Sequence, residues 1–137
     1  MRVLLFIGLL VWGVMVKAEE LIVIAHLTVP VASLSQEELA SIYLLKITVW
    51  RGGGNIVPVN REAANAERAQ FSEVVLRQQP YALAAYWNQM HFKGKVPPLI
   101  QESDHAVLAF VQNVPGAIGY ISATIQPQNV KILARVP

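Results

Sequence analysis

Ile56-Val57-Pro58-Val59-Asn60-Arg61-Glu62-Ala63-Ala64-Asn65-Ala66-Glu67-Arg68 passes from a β-branched run straight into a helix start. Ile56 to Val59 read as a short strand, which Pro58, lacking an amide proton, pushes toward a sheet edge. Asn65 has the short polar side chain that caps a helix. Phe71, Val74 and Val75 then supply one apolar stripe. A strand that empties into a helix is the repeating unit of a layered α/β domain.

The same alternation continues outward. Leu21-Ile22-Val23-Ile24-Ala25 is an unbroken apolar run, which suits a strand buried on both faces, as in parallel sheets. Ser35 and Glu38 form a capping box ahead of Leu39, Ile42 and Tyr43. Gly52-Gly53-Gly54-Asn55 is a loop. Pro80 opens a helix striped by Leu83, Tyr86 and Trp87. Ser103-Asp104 opens another with Val107, Phe110 and Val111, stopped by Pro115-Gly116. Ile118 to Ile121 and Val130 to Leu133 read as closing strands. All four helices carry apolar residues at i, i+3, i+4, so each needs a surface to lie on. With no repeat, low-complexity tract or linker, the reading is one α/β domain.

Met1–Ala18 has the layout of a cleavable signal peptide: Arg2, an uncharged run from Val3 to Val16, then Val16-Lys17-Ala18 before the cut. Fourteen apolar residues fall short of the roughly 20 that span a bilayer, which disfavours a membrane anchor. Residues 19–137 then form an exported domain, and no later segment reads as a span. Of eleven basic residues, Arg2 and Lys17 lie in the leader, so nine basic face nine acidic residues beyond it. A neutral average offers no electrostatic grip on nucleic acid or anionic membrane. There is no cysteine, so no disulfide framework and no lipid-anchored cysteine arise.

Catalytic patterns are absent: no H-E-x-x-H, G-x-S-x-G or P-loop. Adjacent Glu37 and Glu38 point about 100° apart on a helix and cannot act as a pair. Asp104 suits the dipole of its helix. His26, His91 and His105 lack ligand spacing, so no metal or cofactor is implied. Chemistry is conceivable only at Arg61, Asn65, Ala66, Glu67 and Arg68. There a helix N-terminus and a guanidinium fork can meet an anion. The competing reading pairs Glu62 and Glu67 with Arg61 and Arg68 on a solvated face.

Ser33-Leu34-Ser35-Gln36-Glu37-Glu38-Leu39, Ile47-Thr48-Val49-Trp50, Ile56 to Arg61, Phe92-Lys93-Gly94 and Pro115-Gly116-Ala117-Ile118-Gly119-Tyr120 resemble the phosphate-binding proteins of ABC transporters. The likeness spans nearly all of 19–137 and is nearest to short, single-domain members. It implies a single lobe of a type II periplasmic-binding-protein-like fold, a mixed sheet flanked by helices. It also implies a periplasmic, non-enzymatic component that binds inorganic phosphate or a similar oxyanion in uptake or sensing. Partners implied are an ABC transporter permease or another envelope protein. Where the family pattern runs R-x-x-G-S-G-T, this chain has Asn65, Ala66 and Glu67 in place of Ser, Gly and Thr. Two hydroxyl donors are lost and a carboxylate is gained. Leu45 replaces a glycine after the first helix, which is expected to alter its C-cap. An alternative is therefore a ligand-free interaction or sensor-input module; another is a homodimer whose two lobes rebuild one cleft.

Overall fold

The computed structural model describes residues 19–137 and, before them, Gly8 and Gly13 alone. The leader expected over Met1–Ala18 falls outside the described residues, those two glycines apart. Among the described residues, five strands and four α-helices alternate: β1 Leu21–Ala25, α1 Gln36–Tyr43, β2 Val57–Arg61, α2 Ala66–Phe71, α3 Ala84–Phe92, β3 Leu99–Gln101, α4 Asp104–Asn113, β4 Ala117–Ser122 and β5 Lys131–Val136. The strands form one mixed sheet in the order β3-β2-β4-β1-β5. This is the expected α/β layering, a mixed sheet with helices on both sides.

β1 sits inside the sheet and is buried along its whole length. Leu21, Val23 and Ala25 face a core built with Leu39, Ile42 and Tyr43 of α1 and with Phe71 and Val75. Ile22 and Ile24 face the opposite side, against Val107 and Val111 of α4. The two-sided burial is as expected, but the direction is not: β1 runs antiparallel to both β4 and β5. An unbroken apolar run reports coverage of both faces, whereas strand direction follows from the connections, which the run does not encode.

Pro58 is not at an edge either. β2 lies between β3 and β4, parallel to both. Val57 donates its amide to Gly116 O at 3.1 Å on the β4 side. Alternation then turns the nitrogen of Pro58 to the other side, where β3 begins only opposite Val59, so no ladder bond is lost. The three-residue β3 has no counterpart in the sequence reading, because Leu99 and Ile100 are too few to show a period.

The capping box at Ser35 forms as read: Glu38 N donates to Ser35 Oγ at 3.1 Å and Ser35 N to Glu38 Oε1 at 3.4 Å. Leu45 takes the left-handed conformation at φ 60, so the glycine-type turn survives without its glycine. α2 stops at Phe71 and passes into a π-turn over Ser72–Leu76. Pro80 opens a short 3-10 turn before α3. α3 departs most from expectation: Leu83 ahead of it is buried, but no residue of the helix itself is. Tyr86 reaches back to the carbonyl of Leu44, and little else ties α3 down.

Pro115-Gly116 is required sterically. Gly116 has φ 79, and a β-carbon there would stand 2.2 Å from the carbonyl oxygen of Asn55. Its own carbonyl also accepts the Trp50 indole N–H at 3.0 Å. No helix among the described residues is long and apolar enough to cross a membrane.

Candidate functional site

β2 and β3 leave the sheet side by side, with Arg61 opposite Gln101. The residues that follow each strand therefore meet at the same end of the sheet. Asp104, at the start of α4, is brought against Arg61 at the end of β2. Asp104 lies in the first turn of α4, where its charge suits the dipole as expected, while the cap is Ser103, whose Oγ accepts Ala106 N at 3.0 Å.

Arg61 is 6% exposed, which excludes the solvated face of the simpler reading. Its Nη1 donates to Asp104 Oδ1 at 2.7 Å and to Glu67 Oε2 at 3.1 Å. Its Nη2 donates to Glu62 Oε1 and to the carbonyl of Glu102, each at 3.2 Å. Glu62 and Glu67 thus both pair with Arg61, and neither pairs with Arg68. Arg68 instead donates through Nη1 to the carbonyl of Arg61 at 2.9 Å. The Arg61 backbone is further held by Asn60, whose Oδ1 accepts both its amide (2.9 Å) and the hydroxyl of Tyr120.

Asn65 caps α2 as expected, accepting Arg68 N at 3.0 Å. The first amides of the helix, those of Ala66 and Glu67, lie outside that cap. With only six residues, α2 contributes little dipole, so any attraction for an anion rests on the arginines. Two of their donors, Nε of Arg61 and Nε of Arg68, are buried without a hydrogen-bond partner among the described residues, as is one acceptor, Glu62 Oε2. A hollow of about 450 Å³ adjoins Asn65, Ala66 and Arg68, walled by Gln79, Pro80 and Tyr81. The sequence reading assembled Arg61, Asn65, Ala66, Glu67 and Arg68 but missed Asp104, Glu102 and Tyr120. Nothing in the chain order signals a partner 43 residues away.

Burial pushes the Glu67 carboxyl up to about 8, helped by the neighbouring Asp104 and opposed by the Arg61 charge. Glu67 therefore keeps its proton at neutral pH. Its folded pKa lies above its ordinary value, so its contribution to stability is full below about pH 4.5 and is lost as pH rises through about 8. Glu67→Gln, which imitates the protonated form, is expected to flatten this decline. After discounting for the quarter of the side chain in water, the difference between pH 5 and pH 9 is on the order of 2–3 kcal/mol. Urea denaturation at the two pH values measures it, and an equal decline in both proteins would refute the assignment.

No protein-family model matches the chain. Solved structures do. A phosphate ABC transporter substrate-binding protein from Clostridium perfringens, with bound phosphate, superposes with a TM-score of 0.69 at 28% identity, over 84% of this chain and 44% of that one. The chain carries the fold of the phosphate ABC transporter substrate-binding proteins. An ABC-type phosphate transport receptor from Vibrio cholerae (TM-score 0.66, 23% identity, 84% and 45% covered) and PstS from Borrelia burgdorferi (0.66, 19%, 85% and 47%) share the fold. The chain spans less than half the length of each of these proteins. The first two are a substrate-binding protein and a transport receptor by description. Among the described residues, no group of three His, Asp or Glu side chains is placed to hold a metal.

Proposed function

We propose that this chain is an exported, periplasmic solute-binding lobe that takes phosphate or a similar oxyanion at the Arg61–Arg68 junction, in phosphate uptake or sensing. The observation that carries it is the pair of buried, unpartnered Nε donors at one strand-to-helix junction. The fold supports it, since the Clostridium perfringens neighbour holds phosphate. Protonation of Glu67 supports it too, because the junction around Arg61 then carries one negative charge fewer against an incoming anion. Its downstream partner is a transporter permease or another envelope protein. A second copy of the chain facing this junction is a further candidate partner.

Titration of residues 19–137, which hold the whole sheet and both cores, with phosphate by calorimetry at low salt tests the reading, with sulfate as control. Saturable binding in the micromolar range, roughly −8 kcal/mol, is expected. Arg68→Ala, at a half-buried position, is expected to weaken it about tenfold or more by removing a charge-assisted donor. Unchanged affinity in Arg68→Ala would move the site elsewhere.

One observation favours a second reading, a ligand-free interaction or sensor-input module. Both terminal nitrogens of Arg61 are already occupied by side-chain carboxylates and a carbonyl. The protein's own acids then stand in for the anion. An absence of heat at millimolar phosphate would favour it.

A further inference from the structure

α3 and the turn after it project from the domain. Phe92 is 89% exposed and Val96 75%, with Leu99 and Ile100 about half exposed just beyond. The backbone beneath them is fixed. Gly94, at φ 76, donates to His91 O at 2.9 Å and Lys95 N to Met90 O at 3.0 Å, the two bonds of a Schellman turn. Pro98 is buried behind it. An isolated exposed apolar residue is ordinary, but several presented together on a fixed turn mark a contact surface.

The charge of this region is one-sided. From Val74 to Gln101 the chain has Arg77, Lys93 and Lys95 and no acidic residue. Among the described residues neither lysine joins an ion pair. The acids gather elsewhere: Glu62, Glu67 and Asp104 surround Arg61, and Glu19 and Glu20 precede β1 at that same end of the sheet. β3 enters opposite Val59 and leaves toward Arg61, so the turn that feeds it lies at the far end. The neutral average that argued against an anionic membrane conceals this separation.

We propose that the Phe92–Val96 turn docks on an anionic lipid surface. Lys93 and Lys95 meet headgroup phosphates while Phe92 and Val96 enter the interfacial layer. Self-association through the same patch would set lysines against lysines, which disfavours a second copy here. Docked this way, the Arg61 end faces away from the membrane. The inference is independent of what binds at Arg61.

The chain has no cysteine, so Val96→Cys in the full chain takes a single environment-sensitive fluorophore, with Glu73→Cys, also exposed, as control. Vesicles of phosphatidylcholine with and without phosphatidylglycerol are the probes. The label at 96 is expected to brighten and shift to the blue on anionic vesicles, while the label at 73 is not. Adding Lys93→Gln and Lys95→Gln is expected to weaken the response roughly 25-fold, at about fivefold per lysine. Silence of the label at 96, or an equal response from both labels, would overturn the proposal. So would a response to soluble polyglutamate and not to vesicles, which would assign the surface to an acidic protein.

Discussion

Arg61→Met is expected to lower stability by about 3–5 kcal/mol, because it removes the counter-charge from partly buried carboxylates and leaves them in place. The Asp104 carboxylate is 15% exposed at the side chain, so water solvates it poorly once the guanidinium is gone, and the Glu67 carboxyl loses its hydrogen-bond donor. The carbonyl of Glu102 loses its donor as well. In a domain of this size the change corresponds to a fall of about 10–25 °C in Tm. Arg61→Lys should recover only part of it, since one ammonium cannot serve Asp104 and Glu67 on one side and Glu62 and Glu102 on the other. Thermal unfolding of the three proteins at neutral pH decides the matter. A loss under about 1 kcal/mol, the range of a surface pair, would show that the cluster does not hold this end of the sheet together.

Phe71→Ala is expected to cost about 3–5 kcal/mol, the range for emptying a buried aromatic site. Phe71 is 1% exposed. Its ring stacks on Tyr120 with centroids 4.2 Å apart and planes within 5°, and meets Tyr43 edge-on at 4.8 Å. The loss reaches beyond the core. The Tyr120 hydroxyl bonds to Asn60, and Asn60 holds the amide of Arg61, so loosening the stack also loosens the strand end that presents the guanidinium. Burial raises both tyrosine hydroxyls far above the ordinary phenol range, which keeps them neutral donors at any working pH. Phe92→Ala is the control: at 89% exposure it is expected to change stability by less than about 0.5 kcal/mol. Urea midpoints for the pair should differ widely, and similar values would contradict this account of the core.

The two predictions meet at one structural fact. Arg61 lies between the aromatic cluster beneath it and the carboxylates around it. A residue held from both sides orients well, and the same contacts limit how freely it receives an external anion. The match covers less than half the length of the solved proteins of this fold. Here Glu67, Asp104 and Glu62 already occupy the terminal nitrogens of Arg61 from within the chain.

The sequence by itself determined the elements whose signals are local. The β-branched run of β1, the Ser35–Glu38 box, the Asn65 cap and the Pro115-Gly116 stop each act over a few residues, through propensity, capping and steric exclusion. Burial of both faces of β1 was legible for the same reason. Strand direction, the interior position of Pro58 and the existence of β3 were not, since pairing depends on how distant segments are connected. The site divides in the same way. Arg61 and Asn65 could be picked from the strand-to-helix junction, but only the parallel pairing of β2 with β3 brings Asp104 to Arg61. Only burial of that cluster raises the Glu67 carboxyl and leaves two arginine Nε groups without partners. Coulomb and desolvation effects depend on distance and solvent access, and for residues 43 positions apart both are set by the tertiary structure.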